Sequence, residues 1–211
     1  MSGQQPVTGQ AALTPVADLP RQTEPARGSV DLDAAEQAAA ELLRALGADL
    51  QSEHLRETPR RVAAAYGELL TPVPFNATTF PNDEHYDELV LVQGIPFQSL
   101  CMHHLLPFHG VAHVAYLPGD RLIGLSKLAR VVELFARDLQ LQERLTTQVA
   151  DWLEEHLRPR GTGVVLEAEH LCMSLRGVQK PGARTVTSAL RGGVKDDPRT
   201  RAEFLSLIDD N

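Results

Sequence analysis

The 211-residue chain has only two cysteines, few aromatic residues and no long apolar run. Two cysteines, Cys101 and Cys172, are too few for the disulfide framework of a small secreted protein. No stretch approaches the roughly 18 apolar residues that span a bilayer, so we expect no membrane partner. The first twenty residues lack the charged and apolar regions of a secretory signal, and we therefore expect a cytoplasmic protein.

Positive charge is also scarce in this chain. It has 20 Lys and Arg against 28 Asp and Glu, which gives a formal charge of −8 at pH 7. Nucleic acids are bound by clustered basic residues, so we expect no nucleic-acid partner. The glycine-rich loop GxxxxGK[ST] is absent from the sequence, so side chains would have to hold any polyphosphate. The candidate side chains are Arg61, Lys127, Arg130 and Arg176.

The length and composition predict one globular domain behind a tail. Residues 1–30 are rich in Gln, Pro, Gly, Ala and Thr without periodicity, which predicts a flexible N-terminal tail. Residues 31–211 form the predicted domain. Its patterns give two helices, two strands, two helices, two strands and a closing helix. This order is typical of an α+β domain with an antiparallel sheet.

Four helix starts are predicted from residues that favour the N-cap position. In two of them a proline follows in the first turn, where its missing N–H is tolerated. The predicted N-caps are Asp33, Thr58, Ser126 and Asp197. A glycine at position 47 is expected to end the first helix.

A cysteine and three histidines lie within LCMHHLLPFHG, residues 100–110, between two predicted strands. Packing alone would favour Leu or Val here, because an unpartnered buried polar group costs about 1–3 kcal/mol. Further along, EAEHLCMSLR is predicted to be a strand that presents His170, Cys172, Ser174 and Arg176 on one face. We expect this face to lie beside the Cys–His loop.

Together the two segments can supply a three-ligand zinc site. Its members would be Cys101, Cys172 and either His103 or His104, since adjacent residues of an extended loop do not both point at one ion. The other histidine and His170 are then candidate proton-transfer groups. Three protein ligands leave a fourth position for water, whose pKa zinc lowers to about 7. The alternative is a closed site of two cysteines and two histidines that only holds the sheet together, and the spacing does not decide between them.

Two predicted helix starts carry further candidate ligand groups. In GLSKLAR, Ser126 opens a helix, Lys127 lies in its first turn and Arg130 follows one turn later, an arrangement that can hold a phosphate. In LQLQERL, Gln142 and Glu143 can read the N–H edge of a purine, because guanine offers two neighbouring donors to one carboxylate. Taken alone, each pattern is better explained as an ordinary helix start.

Four segments taken together resemble GTP cyclohydrolase I in their order and separation. They are CMHHLLPFHG, YLPGDRLIGLSKLARVVELFARDLQLQERLT, TGVVLEAEHLCMSLRGVQK and RTVTSALRG, and the similarity extends over residues 31–210. The resemblance implies a tunnelling fold, in which an antiparallel sheet has helices packed on one side. It also implies that subunits assemble into a toroidal barrel, usually a homodecamer, with active sites where subunits meet.

The resemblance assigns a role to each candidate residue. The matching positions are Cys101, His104 and Cys172 for zinc, His103, His170 and Ser126 for catalysis, Gln142 and Glu143 for guanine, and Lys127, Arg130, Arg61 and Arg176 for the triphosphate and ribose. The implied activity is zinc-dependent hydrolysis of GTP, with formate release and rearrangement to 7,8-dihydroneopterin triphosphate. Met102 stands where many family members have Glu, so one charge is missing beside the implied metal.

Two other functions share parts of this pattern. A non-catalytic purine- or pterin-binding protein with structural zinc would keep the fold without needing His103. A deazapurine nitrile reductase of the same fold would use a cysteine as its nucleophile. Two cysteines at metal-ligand positions and the paired histidines favour the hydrolase.

Overall fold

The computed structural model describes residues 30–209. The flexible tail predicted for residues 1–30 lies outside the described residues except for Val30, so the tail and the domain boundary stay predictions. Within residues 30–209, no helix has both the length and the apolar character that a membrane span requires.

The described residues form seven helices and seven strands in a mixed order. The helices are α1 (Leu32–Ala45), α2 (Thr58–Leu69), α3 (Leu125–Ala136), α4 (Gln142–Leu157), α5 (Leu171–Ser174), α6 (Gly192–Asp196) and α7 (Pro198–Asp209). The strands are β1 (Thr79–Pro81), β2 (Val90–Cys101), β3 (Pro107–Leu117), β4 (Arg121–Ile123), β5 (Leu139–Gln140), β6 (Gly161–His170) and β7 (Arg184–Arg191).

The main sheet has five strands in the order β5-β2-β3-β6-β7, and β1 and β4 form a small separate pair. All neighbours in the main sheet are antiparallel except the short β5, which runs parallel to β2. The four strands predicted from the sequence are β2, β3, β6 and β7. The predicted α+β class with an antiparallel sheet is therefore confirmed.

The helices that bury most of the core lie on one face of the sheet. Because strand side chains alternate, Val114 faces the core formed with α3 and α4, where Leu128 is fully buried. Its neighbour Ala115 points to the opposite face and packs with Val165 and Phe204. The predicted helix layer on one side is confirmed, and α7 adds cover to part of the other face.

The predicted start of α1 is two residues too late. Asp31 is the N-cap, and its carboxylate accepts a hydrogen bond of 3.0 Å from the main-chain nitrogen of Ala34. Asp33 instead lies in the first turn, where a carboxylate favours the helix dipole. The predicted end is confirmed, since Gly47 takes a φ of +84° just after the helix.

Two other N-cap predictions are wrong by one or two residues, and the last one is right. Glu57 rather than Thr58 precedes α2, and Gly124 rather than Ser126 precedes α3. The reason is that the main-chain nitrogen three residues after Gly124 donates to its carbonyl, so the helix begins earlier. Asp197 caps α7 by accepting from the main-chain nitrogen two residues later.

The strand predicted to run through Arg176 ends at His170. Residues 171–174 form a single helical turn, α5, so the prediction of one polar strand face is wrong. The reason is that β3 and β7, the two strands that pair with β6, do not extend beyond this point. Phe108 pairs with His170 near the start of β3, and β7 begins at Arg184, opposite the residue before His170.

Candidate metal centre and active site

Cys101 ends β2 and opens a tight turn that carries both adjacent histidines. Its main-chain nitrogen donates to the carbonyl of Leu106 over 2.9 Å, which closes the turn. Leu105 takes a φ of +56°, a strained conformation for a residue with a branched side chain. On the other side, the Met102 nitrogen donates to the carbonyl of Gln140 in β5. The turn is therefore anchored from both sides by main-chain hydrogen bonds.

Cys101, His104 and Cys172 form a cluster of three metal-ligand groups. One ligand atom from each lies within 4.8 Å of the other two. Cys101 is buried, Cys172 is half-buried and His104 is exposed, so the cluster opens to solvent on one side. Two thiols and one imidazole are a donor set that zinc prefers, and three protein ligands are typical of catalytic zinc sites. The residues present therefore fit a zinc ion.

His103 and Arg176 stand at the border of this cluster. Nδ1 of His103 and Nδ1 of His104 are each 3.9 Å from the sulfur of Cys101, and the two rings are steeply tilted. Of these two histidines, His104 alone has a ring nitrogen that also lies within 4.8 Å of the Cys172 sulfur, and the described residues show no such group with His103. Nη1 of Arg176 is 3.5 Å from Nε2 of His104, which puts a positive charge at the open side.

The thiol of Cys172 is held in its neutral form when no cation is bound. Burial raises the pKa of Cys172, and the neighbouring Cys101 raises it further through charge repulsion and a hydrogen bond. A divalent cation acts in the opposite direction, because a coordinated thiol loses its proton. A bound zinc ion would therefore act against the burial and the Cys101 contact that raise the pKa of Cys172.

His170 lies at the end of β6, where its ring makes one hydrogen bond and one stacking contact. Its Nε2 is 2.7 Å from Oε1 of Gln142, and its ring stacks on Phe108 with centroids 4.6 Å apart and planes within 1°. Burial lowers the pKa of His170, and the Glu143 carboxylate opposes this effect. The imidazole is therefore neutral at neutral pH and able to accept a proton.

Gln142, which the resemblance assigns to guanine together with Glu143, is buried at the start of α4. It is 1% exposed, and the two hydrogens of its side-chain nitrogen are shared among three acceptors, the carbonyls of Leu166 and Thr185 and the hydroxyl of Thr187. Both ends of this amide are bonded inside the protein, so it presents no free group to a purine edge in this structure, and its guanine-reading role stays a prediction. Glu143 is exposed in the first turn of α4 and keeps its carboxylate available.

The predicted phosphate-binding residues are not gathered around the cluster. Ser126 and Arg130 line a cavity of about 730 Å³ between β2, α2 and α3, and none of the three clustered ligands lines it. Lys127 lies in the same first turn of α3, and Arg61 is exposed on α2. Only Arg176, of these five, contacts a member of the cluster among the described residues.

Two contacts at the site were missed by the sequence reasoning. Phe108, read as an ordinary strand residue, supplies the stacking face for His170. The hydroxyl of Tyr66 in α2 donates to the carbonyl of the strained Leu105 over 3.1 Å. The pairing of Phe108 with His170 depends on strand register, and the Tyr66 contact spans distant parts of the chain. No local signal could have revealed either contact.

Comparison with known proteins gives consistent results over most of the chain. The model of the GTP cyclohydrolase I family matches residues 35–209. GTP cyclohydrolase 1 of Streptococcus thermophilus is 54% identical over 179 residues, which cover 83% of this chain and 96% of that protein. The protein of the same name from Mycolicibacterium vanbaalenii is 56% identical over 179 residues, which cover 82% and 89%.

Among solved structures, the archaeosine synthase QueF-Like in its apo form resembles this chain with a TM-score of 0.42 and 17% sequence identity. The similar region covers 50% of this chain and 95% of the synthase chain. The family model and the two relatives agree with each other and extend over the whole described site. The chain therefore belongs to the GTP cyclohydrolase I family.

Proposed function

We propose that this protein is a zinc-dependent GTP cyclohydrolase, which opens the imidazole ring of GTP, releases formate and forms 7,8-dihydroneopterin triphosphate. The observation that carries the proposal is the cluster of Cys101, His104 and Cys172, which has three members among residues 30–209 and an exposed side. A purely structural zinc site is closed by four protein ligands, whereas a catalytic one keeps a position for water.

Cys101, His104 and Cys172 would hold the zinc ion, which when bound acts as a Lewis acid and brings the pKa of water to about 7. The protein groups around the cluster have separate tasks. Arg176, 3.5 Å from the ring of His104, favours an anionic substrate at the exposed side. His103 projects from the same turn and is the group that moves a proton at the imidazole ring of guanine.

The later proton transfers are assigned to His170 and Ser126. His170 is neutral, so it can accept a proton when the ribose opens and return one when the new ring closes. Ser126 lies in the first turn of α3, beside the 730 Å³ cavity rather than in the metal cluster. Its part in the reaction therefore needs a site that combines residues from more than one subunit.

Substrate recognition is assigned to one carboxylate and a set of cations. The exposed carboxylate of Glu143 accepts hydrogen bonds only, which suits the N1–H and 2-amino donors of guanine. Its effect on the pKa of His170 supports a position beside the proton-transfer group. The triphosphate and ribose are assigned to Lys127, Arg130, Arg61 and Arg176.

The chain has the tunnelling fold of its family, and we infer that its copies assemble into a toroidal barrel, a decamer. Two features support assembly. Within residues 30–209, β7 and most of β2 have a partner strand on one side only, so both edges are open to pairing. Val186, in the middle of the open strand β7, is 62% exposed. We place this enzyme in the cytoplasm, at the first step of tetrahydrofolate or pterin synthesis.

The direct test is incubation of the purified, zinc-loaded protein with GTP. We expect one formate per GTP and the appearance of a pterin chromophore. ATP is the matched control, because its purine has no N1–H and no 2-amino group for Glu143 to recognise. Absence of formate from zinc-loaded, oligomeric protein would refute the proposed activity.

Replacement of His103 with alanine is expected to lower formate release by about 10²–10⁴-fold and to leave zinc bound, because His103 acts as a proton-transfer group and not as a ligand. Zinc content is measured by elemental analysis and turnover by formate release. A protein that only binds purines would keep its nucleotide affinity in this variant and show no turnover before or after the change.

Replacement of Glu143 with glutamine is expected to raise KM for GTP by about 10–10²-fold, because a charge-assisted hydrogen bond contributes about 1.5–3 kcal/mol. The side-chain amide of glutamine also carries N–H groups, and these cannot form hydrogen bonds with the N–H donors of guanine. Glu155→Gln, an exposed change further along α4, is the matched control and should leave KM unchanged. An unchanged KM in Glu143→Gln would remove this residue from substrate recognition.

A further inference from the structure

The side chain of Gln142 connects three elements of the fold to the ring of His170. Its nitrogen is 3.1 Å from the carbonyl of Leu166 in β6, 2.9 Å from that of Thr185 in β7 and 3.2 Å from the hydroxyl of Thr187. Its oxygen is 2.7 Å from Nε2 of His170. The residue is 1% exposed, so water cannot replace these partners.

These neighbours allow one orientation of the Gln142 amide. An amide has a nitrogen that only donates and an oxygen that only accepts, and the choice between its two orientations follows from the partners. The carbonyls of Leu166 and Thr185 can only accept. A flipped amide would place its oxygen against both of them, so the nitrogen must face β6 and β7. The oxygen must therefore face His170.

The hydroxyl groups nearby reinforce this orientation. The hydroxyl of Thr146 donates to the main-chain carbonyl of Gln142 over 2.7 Å and lies 2.6 Å from the hydroxyl of Thr187. With its only hydrogen directed to Gln142, Thr146 accepts from Thr187. The Thr187 oxygen is then left as an acceptor, and it shares the two amide hydrogens of Gln142 with the carbonyls of Leu166 and Thr185. All three neighbours of the Gln142 nitrogen therefore act as acceptors, which agrees with the orientation deduced above.

We propose that Gln142 is a positioning residue that holds the neutral His170 ring in its Nε2–H tautomer and thereby leaves the lone pair on Nδ1. A neutral imidazole carries one hydrogen, so a ring nitrogen that donates to Gln142 cannot also be the acceptor. Phe108 stacks flat against the same ring and stops it from turning. The nitrogen that exchanges protons is then Nδ1.

The inference deepens the proposed cyclohydrolase activity and depends on it for its catalytic meaning. When Nδ1 accepts a proton, the ring becomes cationic while its Nε2–H still donates to Gln142, and the hydrogen bond is strengthened by the charge. The proton is returned from Nδ1 in the next step, so the ring does not need to rotate between steps. Gln142 acts through His170 and has no contact of its own with the substrate.

The tautomer is measured directly in the unaltered, zinc-loaded protein. Solid-state ¹⁵N NMR of protein labelled in its histidine rings separates protonated from unprotonated ring nitrogens, and a His170→Asn spectrum identifies the signals of His170. At about pH 8.5, where a free imidazole is neutral, we expect the hydrogen on Nε2. A hydrogen on Nδ1, or an averaged signal from both tautomers, overturns the inference without any change to Gln142.

A Gln142→Met variant tests the consequence for turnover. This change keeps the length of the side chain and removes its polar atoms, so we expect the tautomer preference to be lost. We expect kcat to fall by about 10²-fold, within the range of acid–base catalysis, while KM stays within about 3-fold. A rise in KM with unchanged kcat would instead assign Gln142 to purine recognition.

Gln140→Met is the matched control for the loss of a buried glutamine. Gln140 is also 1% exposed, but its side-chain nitrogen donates to Phe135 and Gln148 and not to His170. We expect the His170 signals of this variant to be unchanged. If the unaltered protein releases no formate from GTP, the proposed function fails, while the ring signals of His170 still decide the role of Gln142.

Discussion

Replacing Cys172 with serine should remove bound zinc and GTP turnover together. A serine hydroxyl is a poor zinc ligand at neutral pH, because the ligand must be deprotonated and an alcohol is far less acidic than a thiol. Loss of groups that merely support a zinc ligand lowers affinity by about 10–100-fold, so loss of a ligand should lower it by more than about 10²-fold. Elemental analysis and formate release measure the two effects on one sample.

Cys172 is a better position for this test than Cys101. It is half-buried on the single turn α5, whereas Cys101 is 5% exposed within the main hydrophobic core. A polar atom at Cys101 would therefore disturb the fold as well as the metal. Met173→Ala, at the next position of the same turn, is the matched control and should keep both zinc and turnover. Full formate release from zinc-free Cys172→Ser protein would reject the proposed chemistry.

The cluster of metal-ligand groups was the part of the site that the sequence could predict, although spacing left His103 and His104 open and only the family resemblance selected His104. Cys101 and His104 are three residues apart in one turn, and their ligand atoms stay close for local reasons. Cys172 is distant in sequence, but β3 and β6 pair with Phe108 opposite His170, which brings the following residues to the turn. The chain has only two cysteines, so both were easily identified as candidate ligands of one metal ion.

The path of the chain after His170 could not be predicted in the same way. The residues from His170 to Arg176 alternate polar and apolar side chains, which favours a strand when partners are available. Here the neighbouring strands end, and the backbone satisfies its hydrogen bonds in a helical turn instead. The cluster forms all the same, because Cys172 is only two residues beyond the end of β6.

The role of Gln142 is likewise invisible in the local sequence. At the start of α4 it is followed by an exposed glutamate, and the pair has the composition of a recognition motif. Its burial depends on β6 and β7, whose residues are 24 and more positions away. Only tertiary contacts distinguish the two side chains. They bury Gln142 against His170 and leave Glu143 exposed, where it can contact a substrate.

Replacing Gly110 with alanine should destabilise the protein by about 3 kcal/mol or more, at the upper end of what extra atoms in a close-packed region cost. An added Cβ would lie 1.9 Å from the carbonyl oxygen of Glu167 and 2.7 Å from the Cα of Ala168. Both are backbone atoms within the β3–β6 pairing, in which Gly110 lies opposite Ala168, so neither can move alone. We expect the melting temperature to fall by roughly 6–12 °C in thermal unfolding at matched protein concentration.

Gly124→Ala separates this clash from the general effect of losing a glycine. A Cβ at Gly124 would meet its nearest neighbours at 3.6–3.9 Å, which is ordinary contact, and the backbone φ of −59° suits alanine. As the N-cap position of α3 it should change stability by no more than about 1 kcal/mol. Because β3 and β6 also place Phe108 against His170, Gly110→Ala should weaken zinc binding in the protein that remains folded. An unchanged melting temperature in Gly110→Ala would show that the two strands are not as closely paired as the structure has them.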